Sequence, residues 1–585
     1  MSAGTFVLDH DHLFAGHNAI AAKLKSYDSL VLSSIYDYVR NWDTLTLVIE
    51  EKGLDEEYFR EFLEFYGCTM WENPSTVERL HFFAKSRDDL EPLLLGDSRP
   101  PPDGGPDPFG YLGYVVLRPT SPPTVGEILL RTPQNTHAEA YHTTCSTGFG
   151  QTVMGHRLRV RCAPCIGQDQ TGVCAHSALW GALKYLHKYR YYPKLSMPEI
   201  ALKASQRYPR ASARPAGGLI PEEMHAVLRE AGFYVHLHDA GPSPKGDLAG
   251  AQETIRLGVE SGLPVLLIFR VIRQRRELGR HAVWVCGHTT SRLPSANSTR
   301  QVTPVQLQAV SDPMGRILAN DDNYGPYLPV TIELGTFADE QGNQQTLANL
   351  RYDGYAHAPP PDESESLRVL EHVMIPLPEE VYLRPVELLP LVREILTGKR
   401  LGVLAEQSER QGAPPEVVHR LREFQEKMDS GKIHPRTYLS MSDRFREYCA
   451  GNSMCRELKH RYAASFALPE YVWVTELVDL ALQDNQQEAS ARCVVGELIL
   501  DSTDSIGAST RIGFRYLALH VPGLLDYCPV IEATDGTPAD LRAANAGKVT
   551  FLSLPFDTPY EQFTLNTDPN DPARSFRSLS PIRGQ

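Results

Sequence analysis

The chain has 585 residues, which is too long for one hydrophobic core and indicates roughly three or four folding units. Apolar residues make up 42% and charged residues 22%, ordinary values for a globular protein that exclude wholesale disorder. The formal net charge of −14 argues against an extended phosphate-binding surface. We therefore expect no nucleic-acid partner.

Membrane insertion and secretion are not indicated by the sequence. No run approaches the ~20 consecutive apolar residues that cross a bilayer. The N-terminal segment lacks a basic stretch followed by an apolar block, so it does not predict a secretion signal. Ten cysteines are too sparse for a disulfide scaffold. We expect a cytoplasmic protein without membrane contact, in which most thiols are buried.

Two segments have the composition of linkers. Residues 97–110 concentrate proline, glycine and aspartate, and residues 356–366 combine a proline triplet with acidic and serine residues. The predicted units are a mainly helical N-terminal region (1–96), a central domain (111–355), a C-terminal α+β accessory domain (367–570) and a flexible tail (571–585).

Hydrophobic periodicity predicts the elements in chain order. Apolar residues at three-to-four spacing predict helices at 55–67 and 75–86, before the first linker, and 111–119 follows it as a strand. In the central domain, a helix that begins at Cys174 comes before three strand-like runs, which suggests an α+β unit. Those three runs are 263–269, 281–287 and 315–320. After the second linker, helices come first, and strands follow at 492–503 and 514–522.

Cys174 is the first candidate for chemistry. Ala175, Leu179, Leu183 and Leu186 recur at helical spacing, so Cys174 falls in the first turn of a helix with a buried stripe. Unpaired N–H groups and the helix dipole favour negative charge there, and a thiol loses its proton more easily than its free pKa of about 8.5 implies. Alternatively, Cys174 is a small apolar residue packed under the helix.

Two further residues complete a candidate constellation. His281 stands at the start of an apolar strand, where its ring can face a cleft, and Asp321 directly follows the apolar run of 315–320. A carboxylate there can accept the second imidazole N–H and fix the orientation of the ring. Asp322 and Asp312 are alternative acids, and an aspartate that only forms a turn is the ordinary interpretation.

This order of residues resembles that of the papain-like cysteine peptidases: a cysteine at the start of a helix, a histidine on one strand, and an acid that ends the next strand. The pattern is closest to the double-glycine-leader peptidase domains of bacteriocin exporters and covers about 160–335. In that family, a glutamine six positions before the cysteine helps form the oxyanion hole, and Gln168 stands at that spacing. Ala175 departs from the glycine that often follows the nucleophile.

The resemblance implies a multidomain α+β protein. Its central papain-like domain would pack an N-terminal nucleophile helix on an antiparallel sheet, with α/β accessory domains on both sides. It also implies a thiol hydrolase that cleaves a peptide or isopeptide bond through a thioester, with no cofactor. Gln168 would help to bind the oxyanion. The substrate would be a protein or peptide, and the accessory domains are candidates for binding a protein partner.

Three alternatives remain at the level of sequence. Cys162, Cys165, Cys174 and His176 form a C-x2-C-x8-C-x-H pattern, which predicts a zinc site in an interaction protein. A papain-like fold without activity would serve as a scaffold. The same thioester would also serve a deamidase or transglutaminase-like acyl transfer, and "HAVW" (281–284) is similar to the transglutaminase histidine strand.

Overall fold

A computed structural model shows the fold of this chain. It describes the residues 5–8, 29–42, 44–68, 70, 73–96, 107–120, 124–135, 139–167, 174–207, 218–241, 248–273, 276–291, 315–338, 344–353, 367–451, 454, 456–462, 468–484, 492–503, 517–527, 548–551 and 560–561. Within these residues, every strand pairing is antiparallel, and helices alternate with sheets. The predicted α+β class is confirmed. None of the described helices is both long and apolar enough to span a membrane.

The first sheet belongs to the N-terminal part of the chain and has the strand order β1-β2-β3-β4-β5-β9. Its strands are β1 (Thr5–Leu8), β2 (Thr46–Gly53), β3 (Val77–Phe83), β4 (Tyr111–Arg118), β5 (Thr124–Leu130) and β9 (Cys165–Ile166). Helices α1 (Leu30–Val39), α2 (Glu56–Glu64) and α3 (Arg87–Leu94) accompany it. A separate hairpin, β7 (Thr147–Val153) with β8 (His156–Cys162), precedes β9.

The second sheet closes into a barrel. Its strands are β6 (Glu139–His142), β10 (Phe233–Asp239), β11 (Val265–Arg273), β12 (Arg276–Ser291), β13 (Ile317–Asp321), β14 (Gly325–Ala338), β15 (Gln344–Tyr352) and β16 (Leu367–Pro378). Strands β11 to β15 pair in sequence order, and β16 pairs with both β11 and β15. The six strands from β11 to β16 therefore form a closed antiparallel ring.

Helix α4 (Cys174–Arg190) packs between the first sheet and the outside of the barrel. Its predicted stripe is buried, and it shares one core with Leu80 of β3 and Trp284 of β12. A close approach fixes this contact, because a Cβ at Gly181 would lie 2.5 Å from Trp284 Nε1. Three more helices follow it: α5 (Met197–Arg207), α6 (Pro221–Glu230) and α7 (Leu248–Glu260).

The C-terminal part forms a third sheet with the order β17-β18-β19-β20-β21-β22, and β23 pairs with β19. Its strands are β17 (Ile433–Met441), β18 (Tyr471–Asp479), β19 (Arg492–Asp501), β20 (Ala518–Val521), β21 (Leu524–Tyr527), β22 (Lys548–Phe551) and β23 (Tyr560–Glu561). Its helices are α8 (Pro385–Leu396), α9 (Gly398–Arg410), α10 (Pro415–Asp429), α11 (Ser442–Gly451), α12 (Arg456–His460) and α13 (Leu480–Asp484). One hydrophobic core joins this sheet to the barrel interior.

The helix predicted at 75–86 is wrong, since this segment contains strand β3. Leu80 and Phe82 enter the core under α4, whereas Val77 and Phe83 enter a second core on the other face. A strand buried on both faces has apolar residues at nearly every position, and such a run also contains apolar residues at the three-to-four spacing of a helix.

Most of the first predicted linker (97–106) and all of the second (356–366) lie outside the described residues. Strand β3, before the first linker, pairs with β4, which follows it, and β15, before the second linker, pairs with β16, which begins at Leu367. The described part of the N-terminal region contains strands as well as helices. The predicted domain boundaries stay predictions, because a segment that joins two paired strands has the same composition as a linker between domains.

Candidate active site

Cys174 is the first residue of α4, as the sequence predicts. Its side chain is half-buried and packs against the core under the helix. The other cysteines that the structure describes are buried, except Cys68, which is exposed. Cys174 therefore combines a helix N-terminus with access to solvent, a setting in which cysteine reactivity is found.

His281 lies on β12, but not at the start of the strand. The strand begins at Arg276, because the basic run 270–280 forms part of the β11–β12 hairpin rather than a solvated loop. His281 is paired with Phe269 of β11, and the two rings meet edge-on with centroids 5.3 Å apart. Val283, two residues further along, lies in the barrel interior, so the alternation of the strand places His281 on the same face.

Asp321 ends β13 and meets the imidazole. The Nε2 atom of His281 lies 3.1 Å from Asp321 Oδ1, which also accepts a 2.8 Å hydrogen bond from the Asn323 backbone N–H. The hydroxyl of Tyr352 donates to the other carboxylate oxygen over 2.7 Å. Both oxygens of this fully buried carboxylate are thus hydrogen-bonded, which favours its ionised form.

The segment that leads to Cys174 is tied to the strand that carries Asp321. Asn320 Nδ2 donates to the Pro164 carbonyl over 3.1 Å, and Asn320 Oδ1 accepts from the Tyr327 backbone N–H over 2.9 Å. The Cys165 thiol lies 3.9 Å from the Asp321 carbonyl oxygen. These contacts hold the end of β13 against Pro164 and Cys165.

The Cys174 thiol is the remaining partner of the His281 imidazole, and it lies close enough to help raise the pKa of the ring. Because Nε2 faces Asp321, Nδ1 is the ring nitrogen left for the sulfur. Burial alone lowers the pKa of His281, but the charge and hydrogen bond of Asp321, aided by Cys174, outweigh it and hold that pKa well above 6.5. The site therefore favours an imidazolium next to the sulfur.

Asp321 shows the complementary effect. Burial raises the pKa of its carboxyl. The His281 charge, together with the hydrogen bonds from His281 and Tyr352, lowers that pKa by more than burial raises it, so the pKa of Asp321 lies below its usual value. A carboxylate that stays ionised next to an imidazolium orients the ring without accepting its proton.

A second carboxylate stands beside the same nitrogen. Asp322 Oδ1 lies 3.5 Å from His281 Nε2, and neither carboxylate oxygen of Asp322 meets hydrogen-bond geometry with the described residues. Burial raises the pKa of Asp322 to about 7, with Asp321 adding to the rise and His281 opposing it. The geometry thus ranks Asp321 ahead of Asp322 as the partner of the imidazole.

Two predicted site residues, Gln168 and Asp312, lie outside the described residues. The four residues of the predicted zinc site are described, but they are not brought together. Cys162 belongs to the core that holds Tyr111, whereas Cys165 and Cys174 belong to the core under α4. Cys162, Cys165, Cys174 and His176 also form no group of three or more possible metal ligands within the described part of the chain.

Within the described part of the chain, one group of three or more side chains could hold a metal ion, and it consists of His281, Asp321 and Asp322. Their ligand atoms lie within 4.8 Å of one another. A nitrogen and carboxylate oxygens suit borderline transition metals such as zinc. An ion there would occupy the nitrogen that now faces Asp321.

Three residues of the site were not predicted from the sequence. Phe269 packs against the imidazole, Tyr352 holds Asp321, and the Arg368 guanidinium lies 4.3 Å from the centre of the Tyr352 ring. Tyr352 and Arg368 come from β15 and β16, on the side of the barrel opposite β12 in the strand order. The pairing of β13, β14 and β15 brings Tyr352 to Asp321, and nothing local in the sequence signals it.

Comparison with models of known protein families finds no match for this chain, and no curated protein matches it either. The site must therefore be interpreted from its own geometry.

Proposed function

We propose that this protein is a papain-like thiol hydrolase that cleaves a peptide or isopeptide bond in a protein or peptide substrate. The observation that carries the proposal is the His281 imidazole, which meets the Asp321 carboxylate over 3.1 Å and whose pKa is also raised by the neighbouring Cys174 thiol. These three groups come from α4, β12 and β13, and their chemistry is that of a nucleophile, a base and an orienting acid.

The architecture around the three groups also supports this proposal. A helix that begins with the nucleophile packs against an antiparallel barrel that supplies the histidine and the acid. The sequence resemblance likewise implies that a helix supplies the nucleophile and a sheet supplies the histidine and the acid. The site residues lie on regular elements and at strand ends, which hold catalytic geometry more rigidly than free loops.

In the proposed reaction, the Cys174 thiolate attacks the substrate carbonyl carbon, a C–S bond forms, and the carbonyl oxygen becomes an oxyanion. His281, protonated at Nδ1, gives that proton to the leaving amine as the C–N bond breaks, and a thioester remains. His281 then accepts a proton from water, whose oxygen attacks the thioester. The C–S bond breaks, the acid product leaves, and the thiolate–imidazolium pair is restored.

The oxyanion needs hydrogen-bond donors close to the sulfur. The backbone N–H of Cys174, at the start of α4, is one proposed donor, because the first N–H groups of a helix have no partner within the helix. The side-chain amide of Gln168 is the second, on the strength of the family resemblance. Loss of one such donor typically costs ~3 kcal/mol in the transition state.

Alkylation by iodoacetamide tests the proposal without knowledge of the substrate. Cys174 is expected to react faster near neutral pH than the exposed Cys68, which serves as an internal reference, although Cys174 is less accessible. His281→Ala should slow alkylation of Cys174 and leave that of Cys68 unchanged. Equal rates at the two cysteines in the unaltered protein, or no effect of His281→Ala, would show that the site does not activate a thiol and would favour a non-catalytic scaffold.

Hydrolysis itself is tested with a panel of peptide and isopeptide substrates. Cys174→Ala should abolish cleavage and leave the thermal midpoint nearly unchanged, because the side chain lies at the surface end of α4. Cleavage that persists in this variant would rule out Cys174 as the nucleophile.

A further inference from the structure

The two neighbouring acids at the end of β13 compete for one atom. Asp321 Oδ1 and Asp322 Oδ1 lie 3.1 and 3.5 Å from the same nitrogen, His281 Nε2. A difference of this size is small enough for a modest movement of either side chain to reverse it. Something outside the pair must therefore decide which carboxylate orients the imidazole.

Tyr352 is in the position to decide. It is the last residue of β15, and its hydroxyl donates a 2.7 Å hydrogen bond to Asp321 Oδ2, on the carboxylate oxygen that does not face His281. Burial, together with the charge of Asp321, keeps the pKa of Tyr352 well above 10, so the hydroxyl stays protonated and remains a donor. Asp322 receives no side-chain hydrogen bond from the described residues, and besides the charge of His281 only the backbone N–H groups of Asp322 and Asn323 help lower its pKa.

The ring of Tyr352 is itself held from two sides. The Arg368 guanidinium lies 4.3 Å from the ring centre, and the ring of Tyr324 meets it edge-on with centroids 5.4 Å apart. A cation over an aromatic face and an edge-on ring are both favourable contacts. The hydroxyl therefore has a fixed direction toward Asp321.

We propose that Tyr352 is a positioning residue that selects Asp321 over Asp322 as the partner of His281. The inference rests on the proposed thiol chemistry. The hydroxyl of Tyr352 holds the Asp321 carboxylate ionised and turned so that Oδ1 faces Nε2. Without that hydroxyl, the Asp321 carboxylate is held only through Oδ1, by His281 and the Asn323 backbone N–H, and Asp322 becomes a closer competitor for the imidazole.

A double-mutant cycle measures the selection, with the rate of Cys174 alkylation by iodoacetamide as the readout. In the otherwise unaltered protein, Asp321→Asn should slow alkylation about tenfold or more, and Asp322→Asn should change it less than about threefold. In the Tyr352→Phe protein, the effect of Asp321→Asn should shrink and that of Asp322→Asn should grow, each by about threefold or more. If Tyr352 had only a structural role, Tyr352→Phe would lower the alkylation rate of every variant, but the effects of Asp321→Asn and Asp322→Asn on that rate would keep their relative sizes.

Tyr324→Phe is the matched control, since it removes a hydroxyl from the adjacent ring and leaves the contact with Tyr352. It should leave both effects as they are in the unaltered protein. If Tyr352→Phe does not fold, Arg368→Gln keeps the hydroxyl but removes the cation that holds the ring, and should produce the same exchange in weaker form.

Unchanged effects of Asp321→Asn and Asp322→Asn in the Tyr352→Phe protein would overturn the selection by Tyr352. The proposed function would survive that result as long as His281→Ala still slows alkylation. The two proposals can therefore fail separately.

Discussion

His281 Nε2 lies 3.1 Å from Asp321 Oδ1, although 40 residues separate the two in the chain. The antiparallel pairing of β12 with β13 brings them together, because Trp284 stands opposite Asn320. The imidazole and the carboxylate are thus fixed by the sheet itself, and the thiol is fixed by the contact of α4 with the same strand.

The first prediction concerns that pair. In Asp321→Asn, the amide keeps the shape of the side chain but has no charge, so it cannot stabilise the imidazolium. The rate of substrate cleavage should fall by about tenfold or more, because the pKa of His281 falls and the imidazolium no longer stabilises the thiolate. The pH dependence of Cys174 alkylation checks the cause, since fast alkylation should require a higher pH in the variant than in the unaltered protein. The same alkylation profile in both proteins would contradict the role of Asp321.

The second prediction concerns stability and the pKa of Asp322. An aspartate in the unfolded chain loses its proton near pH 3.8, whereas folded Asp322 holds it until about 7. Between these values the unfolded state binds fewer protons, so this group makes the folded state less stable as pH rises, and the loss is complete above pH 7. An asparagine at this position would carry no proton to lose. Asp322→Asn should therefore raise the thermal midpoint at about pH 8 and leave it nearly unchanged at about pH 4.

Asp321→Asn is a control in which the thermal midpoint should change in the opposite direction. The pKa of Asp321 is lowered on folding, so its contribution to stability is present above the pKa of the unfolded chain and is lost as pH falls through the folded pKa. This variant should have a lower thermal midpoint than the unaltered protein at neutral pH. A lower midpoint for Asp322→Asn at about pH 8 would contradict the predicted direction.

The third prediction distinguishes a thiol site from a zinc site. Atoms bound tetrahedrally to one zinc ion at 2.0–2.2 Å lie roughly 3.4 Å apart, and the two carboxylate oxygens lie 3.1 and 3.5 Å from His281 Nε2. Added Zn²⁺ should therefore slow alkylation of Cys174, because it would take the nitrogen that faces Asp321, and Asp322→Asn should raise the concentration required. A chelator alone should leave alkylation and the thermal midpoint unchanged. A midpoint that falls on chelation would instead support a structural zinc site.

The fourth prediction concerns the contact that places α4. A methyl group at Gly181 would lie 2.5 Å from Trp284 Nε1 and 2.9 Å from the Pro164 carbonyl oxygen, so the helix would have to move away from β12. Gly181→Ala should cost ~1–3 kcal/mol of stability, as overpacking does, and should slow alkylation of Cys174. Chemical denaturation measures the stability.

Gly402→Ala is the matched control for that substitution, since Gly402 is also in a helix and its added Cβ would meet only Gln425 side-chain atoms at 3.6–3.8 Å. It should raise stability by ~0.5–1 kcal/mol, because alanine favours the helix over glycine. If both substitutions changed the stability in the same direction, the close contact at Gly181 would not control the position of α4.

The sequence predicts the site better than it predicts the frame around it. Cys174 at a helix start and Asp321 at a strand end are local features, which hydrophobic periodicity and strand boundaries reveal. His281 was found as a strand residue, but the strand extends five residues further toward the N-terminus, from 276, through a hairpin whose charged composition resembles that of a loop.

The remaining differences come from contacts that are distant in sequence. Strand β3 has the residue spacing of a helix because both of its faces are buried, and each proline-rich segment lies between two strands that pair with each other. Tyr352 reaches Asp321 because β14 pairs with both β13 and β15. Such pairings depend on the whole topology, which a pattern within one segment does not encode.

The closed ring has a consequence for how this protein can be divided. Strand β16 follows the second proline-rich segment, yet it lies between β11 and β15 in the ring. The barrel interior then continues from Phe269 through Leu370 to Trp473 in a single apolar core. A chain truncated at residue 366 would leave β10 without its partner strand, expose one edge each of β11 and β15, and uncover that core, so the barrel could not be moved into another protein without its C-terminal neighbour.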